Sequence, residues 1–430
     1  MTLNDTRFLL ATLIAFWPCL TPDDTAGESS GVESEIRCVQ PGPFPNRFTP
    51  VDRQLHSHAS RSLSNSPSHE LDTGKEQKSR FIQLKNMAGR DWLVGPDGRP
   101  FFAHGITHVN NKRSPFDFSQ FSTACRKLGF NAYGYGCPPI LKKDLPYIEG
   151  WNHLVPISTY RGDGSFQFVD IFDPKVQDKL VLGVKASCQK GKHNPNLIGY
   201  CWTDLGAWPI QNSTKKNWVE HIKSLPDGSA GNKAYQNFLA SWKGRASDKD
   251  GEFLRLIARE YFRVIGEANR KFDPDHLIFG DRFAFNTYDP IVVSEMLPWV
   301  DAIAIQPPFW GPFPRKRLDQ IHDFTKKPIL LCDFAIRFDD GKKDIRSFNK
   351  VKNSMSAGQE YTTYVKAAFD SGYILGVFWC NPVDSSKSFG KGGVKQGFFG
   401  DGLTKRPGLH EAVQKLNQSL RELTPRDQLK

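Results

Sequence analysis

The sequence predicts an α/β fold: a (β/α)8 TIM barrel with an N-terminal hairpin and a disordered N-terminal leader. Three observations predict it. Eight short apolar segments recur through the chain, with amphipathic stretches between most of them, as a closed parallel barrel requires. No GxGxxG follows the first of them, although an open doubly wound sheet usually carries that turn. Composition also changes sharply near residue 80.

The elements can be justified in order. Residues 8–20 read FLLATLIAFWPCL, with 11 of 13 apolar and Arg7 just before them. The run is too short to span a bilayer and has the layout of a secretory h-region. Small residues follow at Thr25-Ala26-Gly27, so 1–27 is predicted to be a signal peptide and the protein secreted or periplasmic. A buried or unprocessed N-terminal segment is the other reading. Across 21–80 only 12 of 60 residues are apolar, against 39% for the whole chain. Such a segment cannot bury enough surface to offset its ordering entropy, so 28–80 is predicted to be a disordered linker. The barrel is assigned to 81–420 and a tail to 421–430.

DWLVGPDGRPFFAHG (91–105) has apolar stretches around the turn signal PDG, which predicts a hairpin leading into the first barrel strand. The strands are then FFAHGI (101–106), FNAYGYG (130–136), HLVPI (153–157), LIGYCWT (197–203), HLIFG (276–280), VDAIAIQ (300–306), KPILLCD (327–333) and GYILGVFW (372–379). Helical spacing appears at 117–128, 173–189, 252–270, 289–296, 315–324, 358–371 and 408–420. Asp173-Pro174 supplies a cap and a first-turn proline.

Charge and cysteine usage exclude several classes. The net charge is +11, but the basic residues are dispersed in groups such as Lys215-Lys216, Lys326-Lys327 and Arg315-Lys316-Arg317. No basic tail or zinc-finger spacing accompanies them, so no nucleic-acid partner is expected. The charge is either a solvated surface or a match for an anionic polysaccharide. No run of 18 apolar residues occurs, so no integral membrane partner is expected. Eight cysteines without a CxxC argue against a disulfide scaffold or zinc ribbon and leave buried thiols as the default.

A TIM barrel places its chemistry at the C-terminal ends of its strands. The polar and aromatic residues there are His104 and His108 (first strand), Tyr135 (second), Trp202, Thr203, Asp204 and Trp208 (fourth), Asp281 and Arg282 (fifth), Gln306 and Trp310 (sixth), Asp333 (seventh) and Trp379 (eighth). Asp204 and Asp333 form a candidate carboxylate pair, the apparatus of glycosidic cleavage. Trp202, Trp208, Trp310 and Trp379 are candidate stacking platforms for sugar rings. Either aspartate alone could equally cap a helix or close a loop ion pair. His108 either bonds a sugar hydroxyl or packs structurally. Gln306 either orients Asp333 or caps backbone. Arg282 either pairs with Asp281 or positions substrate. His104 and His108 are four apart on a strand, so helical zinc geometry fails.

IGYCWTDLGAW (198–208) resembles the fourth-strand motif of the clan A TIM-barrel glycoside hydrolases, KPILLCDFAI (327–336) their seventh-strand motif, and GVFWC (376–380) their eighth. DWLVGPDGRPFFAHGI resembles the opening of agarase-like members. The resemblance covers about residues 85–420. It implies Asp204 as general acid, Asp333 as nucleophile or base, and Trp379 as the subsite floor. The family carries Asn-Glu and Glu where this chain has Thr203-Asp204 and Asp333. Each carboxyl loses one methylene, about 1.5 Å. On an unchanged backbone the gap widens by up to about 3 Å, from the retaining toward the inverting range.

These features predict a secreted glycoside hydrolase acting on a polysaccharide or oligosaccharide, without cofactor or metal. The alternatives are a non-catalytic carbohydrate-binding barrel and an unrelated metal-dependent barrel enzyme. The last needs three or more ligands converging on one point, and the sequence displays no such cluster. The long segment 205–250, with Trp208, Trp218, Tyr235 and Trp242, is expected to cover the mouth in part and add sugar subsites.

Overall fold

The computed structural model of the protein describes residues 79–109, 116–150, 154–159, 165–210, 217–308, 311–338, 351–383 and 396–425. The expectations for 1–27 and for nearly all of 28–80 lie outside the described residues.

A small antiparallel sheet comes first: β1 (Gln83–Met87), β2 (Arg90–Val94) and β3 (Pro100–Phe101). Ala88 and Gly89, with φ of 52° and 78°, make the left-handed turn that suits a twisted hairpin. Asp97 and Gly98 turn the chain into β3, as PDG predicts; Asp97 accepts a hydrogen bond from the Arg99 amide.

Eight parallel strands then close into a barrel: β4 (Ala103–Thr107), β5 (Ala132–Tyr133), β6 (Tyr147–Gly150), β7 (Leu197–Asp204), β8 (Leu277–Ala284), β9 (Ile303–Gln306), β10 (Ile329–Phe334) and β11 (Ile374–Cys380). Closure is made by β11 on β4, with Val377 opposite His104 and Cys380 opposite Thr107. The strands must approach closely at Gly105, where a Cβ would lie 1.7 Å from the Ala132 carbonyl oxygen. The interior cluster holds small and medium side chains, Ala103, Ala132, Ile148, Ile198, Cys201, Ala304, Leu330 and Cys332, beside larger ones such as Phe279 and Phe378. Ile82, just before β1, and Leu93 of β2 belong to the same cluster, so the N-terminal sheet packs on the inner core.

The larger core lies between strands and helices. Its helices are α1 (Phe118–Lys127), α2 (Pro174–Gly191), α3 (Trp218–Lys223), α4 (Ala230–Ser241), α5 (Lys249–Phe272), α6 (Pro290–Met296), α7 (Arg315–Thr325), α8 (Ser354–Phe369) and α9 (Leu409–Leu423). Asp117, Asp173 and Asp289 cap α1, α2 and α6 by accepting from amides of the first turn. Among the described residues no helix is long and apolar enough to cross a membrane.

Three expectations are corrected. The third barrel strand is Tyr147–Gly150, not the apolar run at 153–157. Tyr147 pairs with Tyr133 on one side and Leu197 on the other. Val155 and Ile157 are buried instead in the following loop, where the Ile157 carbonyl accepts from the Ala207 amide. An apolar run there anchors a loop. The expected tail at 421 begins inside α9. Residues 211–216 of the segment 205–250 lie outside the described residues, and its described helices pack outward: Trp218 lies on Trp208 and Tyr261, while Tyr235 and Phe238 lie on Phe253 of α5. Its described helices therefore line α5 rather than the barrel mouth.

Candidate active site

Strand alternation decides which side chains reach the barrel interior. On β7, Cys201 joins the inner cluster while Trp202 belongs to the outer core. At the strand end Asp204 faces groups delivered by β8 and β10. Arg282 of β8 is its direct partner, with a guanidinium nitrogen at ion-pair distance from Asp204 Oδ1. Arg282 Nη1 also lies 3.8 Å from Asp333 Oδ2. One guanidinium thus bridges the two carboxylates. Beneath it lies the Tyr135 ring, whose centroid is 3.2 Å from Arg282 Cζ.

Asp333 has the fuller set of partners. Thr107 Oγ1 donates to its Oδ1 at 2.6 Å, and His108 Nε2 stands 3.1 Å from its Oδ2. The His108 ring meets Tyr135 edge-on, with centroids 4.8 Å apart. Cys380 of β11 completes the floor; His108, Asp333 and Cys380 each bring a donor atom within 4.8 Å of the others. Asp333 is buried, whereas the His108 side chain is 34% exposed, making His108 the member of this cluster turned toward solvent.

The backbone is distorted at the same level. His108, Leu205, Asp333 and Asn381 have φ of 53°, 45°, 54° and 71°. These follow or end four barrel strands. A left-handed conformation outside glycine costs about 1–3 kcal/mol and clusters at functional sites. Four buried polar atoms here lack a hydrogen-bond partner: Tyr135 Oη, Asp204 Oδ1, and Arg282 Nη1 and Nη2. The Asp204–Arg282 contact is close but not aligned as a hydrogen bond. Orphaned buried groups are rare in folded cores, and a cluster of four marks a place for a polar ligand.

Burial pushes the Asp204 carboxyl up to about 7, with His108 pulling the other way. Burial works against charge on His108, but Asp333, by its charge and hydrogen bond, outweighs it and raises the imidazole, with Arg282 opposing and Asp204 assisting. Burial draws Arg282 down to about 9. A carboxyl with raised proton affinity thus stands beside one contacted by Thr107 and His108, an asymmetry that acid/base cleavage can use.

The structure brings Asp204, Asp333, Arg282 and His108 together. It does not bring Trp202, Trp208 or Trp379, the candidate tryptophans among the described residues. Trp202 turns outward, donating from Nε1 to Asn269 Oδ1 at 3.0 Å and stacking on Phe262. Trp208 is buried on Trp218 and donates to Asp281 Oδ2 at 2.7 Å. Trp379 is 0% exposed, packs on Tyr361 and Phe398, and donates to the Gln396 carbonyl at 2.8 Å. All three sit in the helix layer, so their expected role as sugar platforms is corrected: the mouth-facing neighbours are Asp204 and Cys380, one or two residues away. Trp310 lies outside the described residues. Gln306 ends β9 with its side chain buried, level with Ala284. Asp281 is no partner of Arg282. It faces the outer core, holds the Thr203 amide and the Trp208 indole, and burial pushes it up to about 7.

Sequence reasoning missed Thr107 and Cys380 as site residues and gave Tyr135 no role. Their only signal is position, next to the ends of β4, β11 and β5.

Fold and site define a TIM barrel with a carboxylate pair at its mouth. No family model matches the chain. Over 256 residues, 57% of the chain, it is 23% identical to beta-agarase B of Vibrio sp. (strain JT0107), and the match covers 25% of that protein. The chain therefore spans about a quarter of that relative. Similar solved structures include an agarase, AgWH50C (TM-score 0.66, 18% identity, 82% of this chain and 65% of that one). An exo-beta-agarase follows (0.65, 13%, 81% and 66%), with PfGH50B (0.67, 16%, 81% and 67%). These structural likenesses show the fold. The clan-level resemblance rests on the strand motifs alone.

Proposed function

We propose that the protein is a glycoside hydrolase acting on a polysaccharide, agarase-like in substrate class. Asp204 is its general acid and Asp333 its nucleophile or base. The observation that carries this reading is the convergence of two carboxylates, from the fourth and seventh barrel strands, on one buried guanidinium. Agarases among the similar proteins point to agar polysaccharides as the first substrates to try. Arg282 holds both carboxylates in register. Thr107 and His108 stabilise Asp333 as an acceptor. His108, the solvent-facing member, is placed to bond a sugar hydroxyl.

The binding-only alternative expects Asp204 and Asp333 to lie too far apart or to face away, and their shared contact with Arg282 favours the catalytic reading instead. The deciding experiment assays purified protein against agar and other neutral and anionic polysaccharides, beside Asp204→Asn and Asp333→Asn. Turnover by the parent chain that both variants lose supports the proposal; no turnover on any substrate sinks it. The anomer first released, read by NMR, separates a nucleophilic from a basic Asp333. Export through the apolar segment 8–20 and preference for an anionic chain are further parts of this reading. The first is tested by N-terminal sequencing of protein from the medium, the second by salt dependence of binding.

A further inference from the structure

We propose that His108, Asp333 and Cys380 form a binding site for a zinc-class transition-metal cation at the barrel mouth. The three residues stand at the ends of β4, β10 and β11, which are consecutive in the barrel. Their donor atoms, one nitrogen, one oxygen and one sulfur, all lie within 4.8 Å of one another. A tetrahedral zinc ion with bonds of about 2.0–2.3 Å holds its donors about 3.3–3.8 Å apart. The widest separation therefore needs to close by only about 1 Å. The narrowest is already short, with His108 Nε2 3.1 Å from the Asp333 carboxylate. A cation would enter where the hydrogen bond between them now lies.

Donor chemistry selects the metal class. A thiol and an imidazole favour zinc and its neighbours, whereas magnesium and calcium take oxygen. Three protein ligands leave a fourth position open toward solvent, on the side where His108 is exposed. Asp333 is already oriented from behind by Thr107 Oγ1 at 2.6 Å, the supporting bond that metal-binding carboxylates commonly receive. The nearest cation, Arg282, contacts both Asp204 and Asp333, and burial draws its pKa down to about 9, which weakens its opposition to an incoming dication. His108 and Asp333 also share the left-handed backbone noted above, a cost that a ligand common to both would offset. The sequence conceals the set because His108 and Asp333 are 225 residues apart.

The site goes beyond the proposed hydrolysis, but the two share Asp333, so a bound cation competes with turnover. The test is a binding measurement on the full chain, freed of metal with a chelator and titrated with Co2+. The expected result is one equivalent bound, with a thiolate-to-cobalt charge-transfer band that Zn2+ abolishes and Mg2+ does not. Cys380→Ser should remove the band, His108→Gln should weaken binding by more than about tenfold, and Cys137→Ser, a buried cysteine outside the site, should leave both unchanged. Absence of a saturable band in the parent chain overturns the site, whatever the folding of the variants. So does a band that survives Cys380→Ser. Because absorbance is the readout, a failure here and a failure of glycoside turnover are separate results.

Discussion

His104 and His108 lie four residues apart at the two ends of one strand, and they have opposite fates. His104 is buried against the helix layer. Its Nδ1 bonds Asn417 and its Nε2 bonds Tyr361, and burial draws its pKa down to about 4 despite the Asn417 bond. His108 sits past the strand end with left-handed backbone, partly exposed, against Asp333. The first is a satisfied structural histidine. The second belongs to the cluster of charges at the mouth, with Asp333, Arg282 and Asp204. Residue type and sequence separation do not tell them apart; the side of the sheet and the distance to the strand end do.

The same distinction separates two charged neighbours on β8. Asp281 and Arg282 are adjacent, yet one serves the helix layer and the other the mouth. Much of the fold was legible because strand and helix periods are local: seven of the eight strands and the main helices follow from apolar spacing. The third strand was not, since YIEG carries a glutamate and a glycine while the loop beyond it carries the apolar residues. At the site, the aspartates were visible from their strand-end positions. The facing of Trp202 was not, because a register shift between Cys201 and Asp204 sets the parity at the end of β7 by tertiary pairing. Parity assigned without that shift puts the wrong residue at the mouth.

Mouth and helix layer should respond differently to substitution. The largest effect is expected at the mouth: Asp204→Asn and Asp333→Asn should each lower turnover by about 10³-fold or more, with melting temperature little changed. Activity of either variant within tenfold of the parent would remove that residue from the mechanism. With Asp204 as acid, turnover of the parent should also fall as pH rises through about 7. A flat profile from pH 6 to 8 would contradict that assignment.

Next come the buried groups of the helix layer. Trp379→Ala should cost about 3–5 kcal/mol, since it vacates a site walled by Phe334, Tyr361 and Phe398. Trp379→Phe should retain polysaccharide binding. If Trp379→Phe folds normally but loses binding selectively, the indole reaches substrate and its placement in the helix layer is wrong. His104→Ala should cost about 2–4 kcal/mol by leaving Asn417 and Tyr361 without their shared partner. The corresponding His108→Ala should cost much less, as measured by urea unfolding.

The smallest effect, and the sharpest on the comparison, is the pH dependence of stability. His104 has a folded pKa of about 4, below its unfolded 6.5. Between those values the unfolded chain binds the extra proton, so this histidine's contribution is whole above pH 6.5 and is lost as pH falls toward 4. The loss is of order 3 kcal/mol. His108 has the opposite sign. Its folded pKa is raised, so its contribution is whole below 6.5 and is lost as pH rises through the folded value. His104→Gln should therefore flatten the decline of melting temperature between pH 6.5 and 4. His108→Gln should leave that decline in place and instead alter the slope above pH 6.5. Its effect should be the weaker, because burial and Arg282 both offset the field from Asp333 and Asp204. Melting temperatures at half-unit pH steps for the parent and both variants make the measurement. If the two variants shift the profile on the same side of pH 6.5, the two histidines do not differ as their surroundings require.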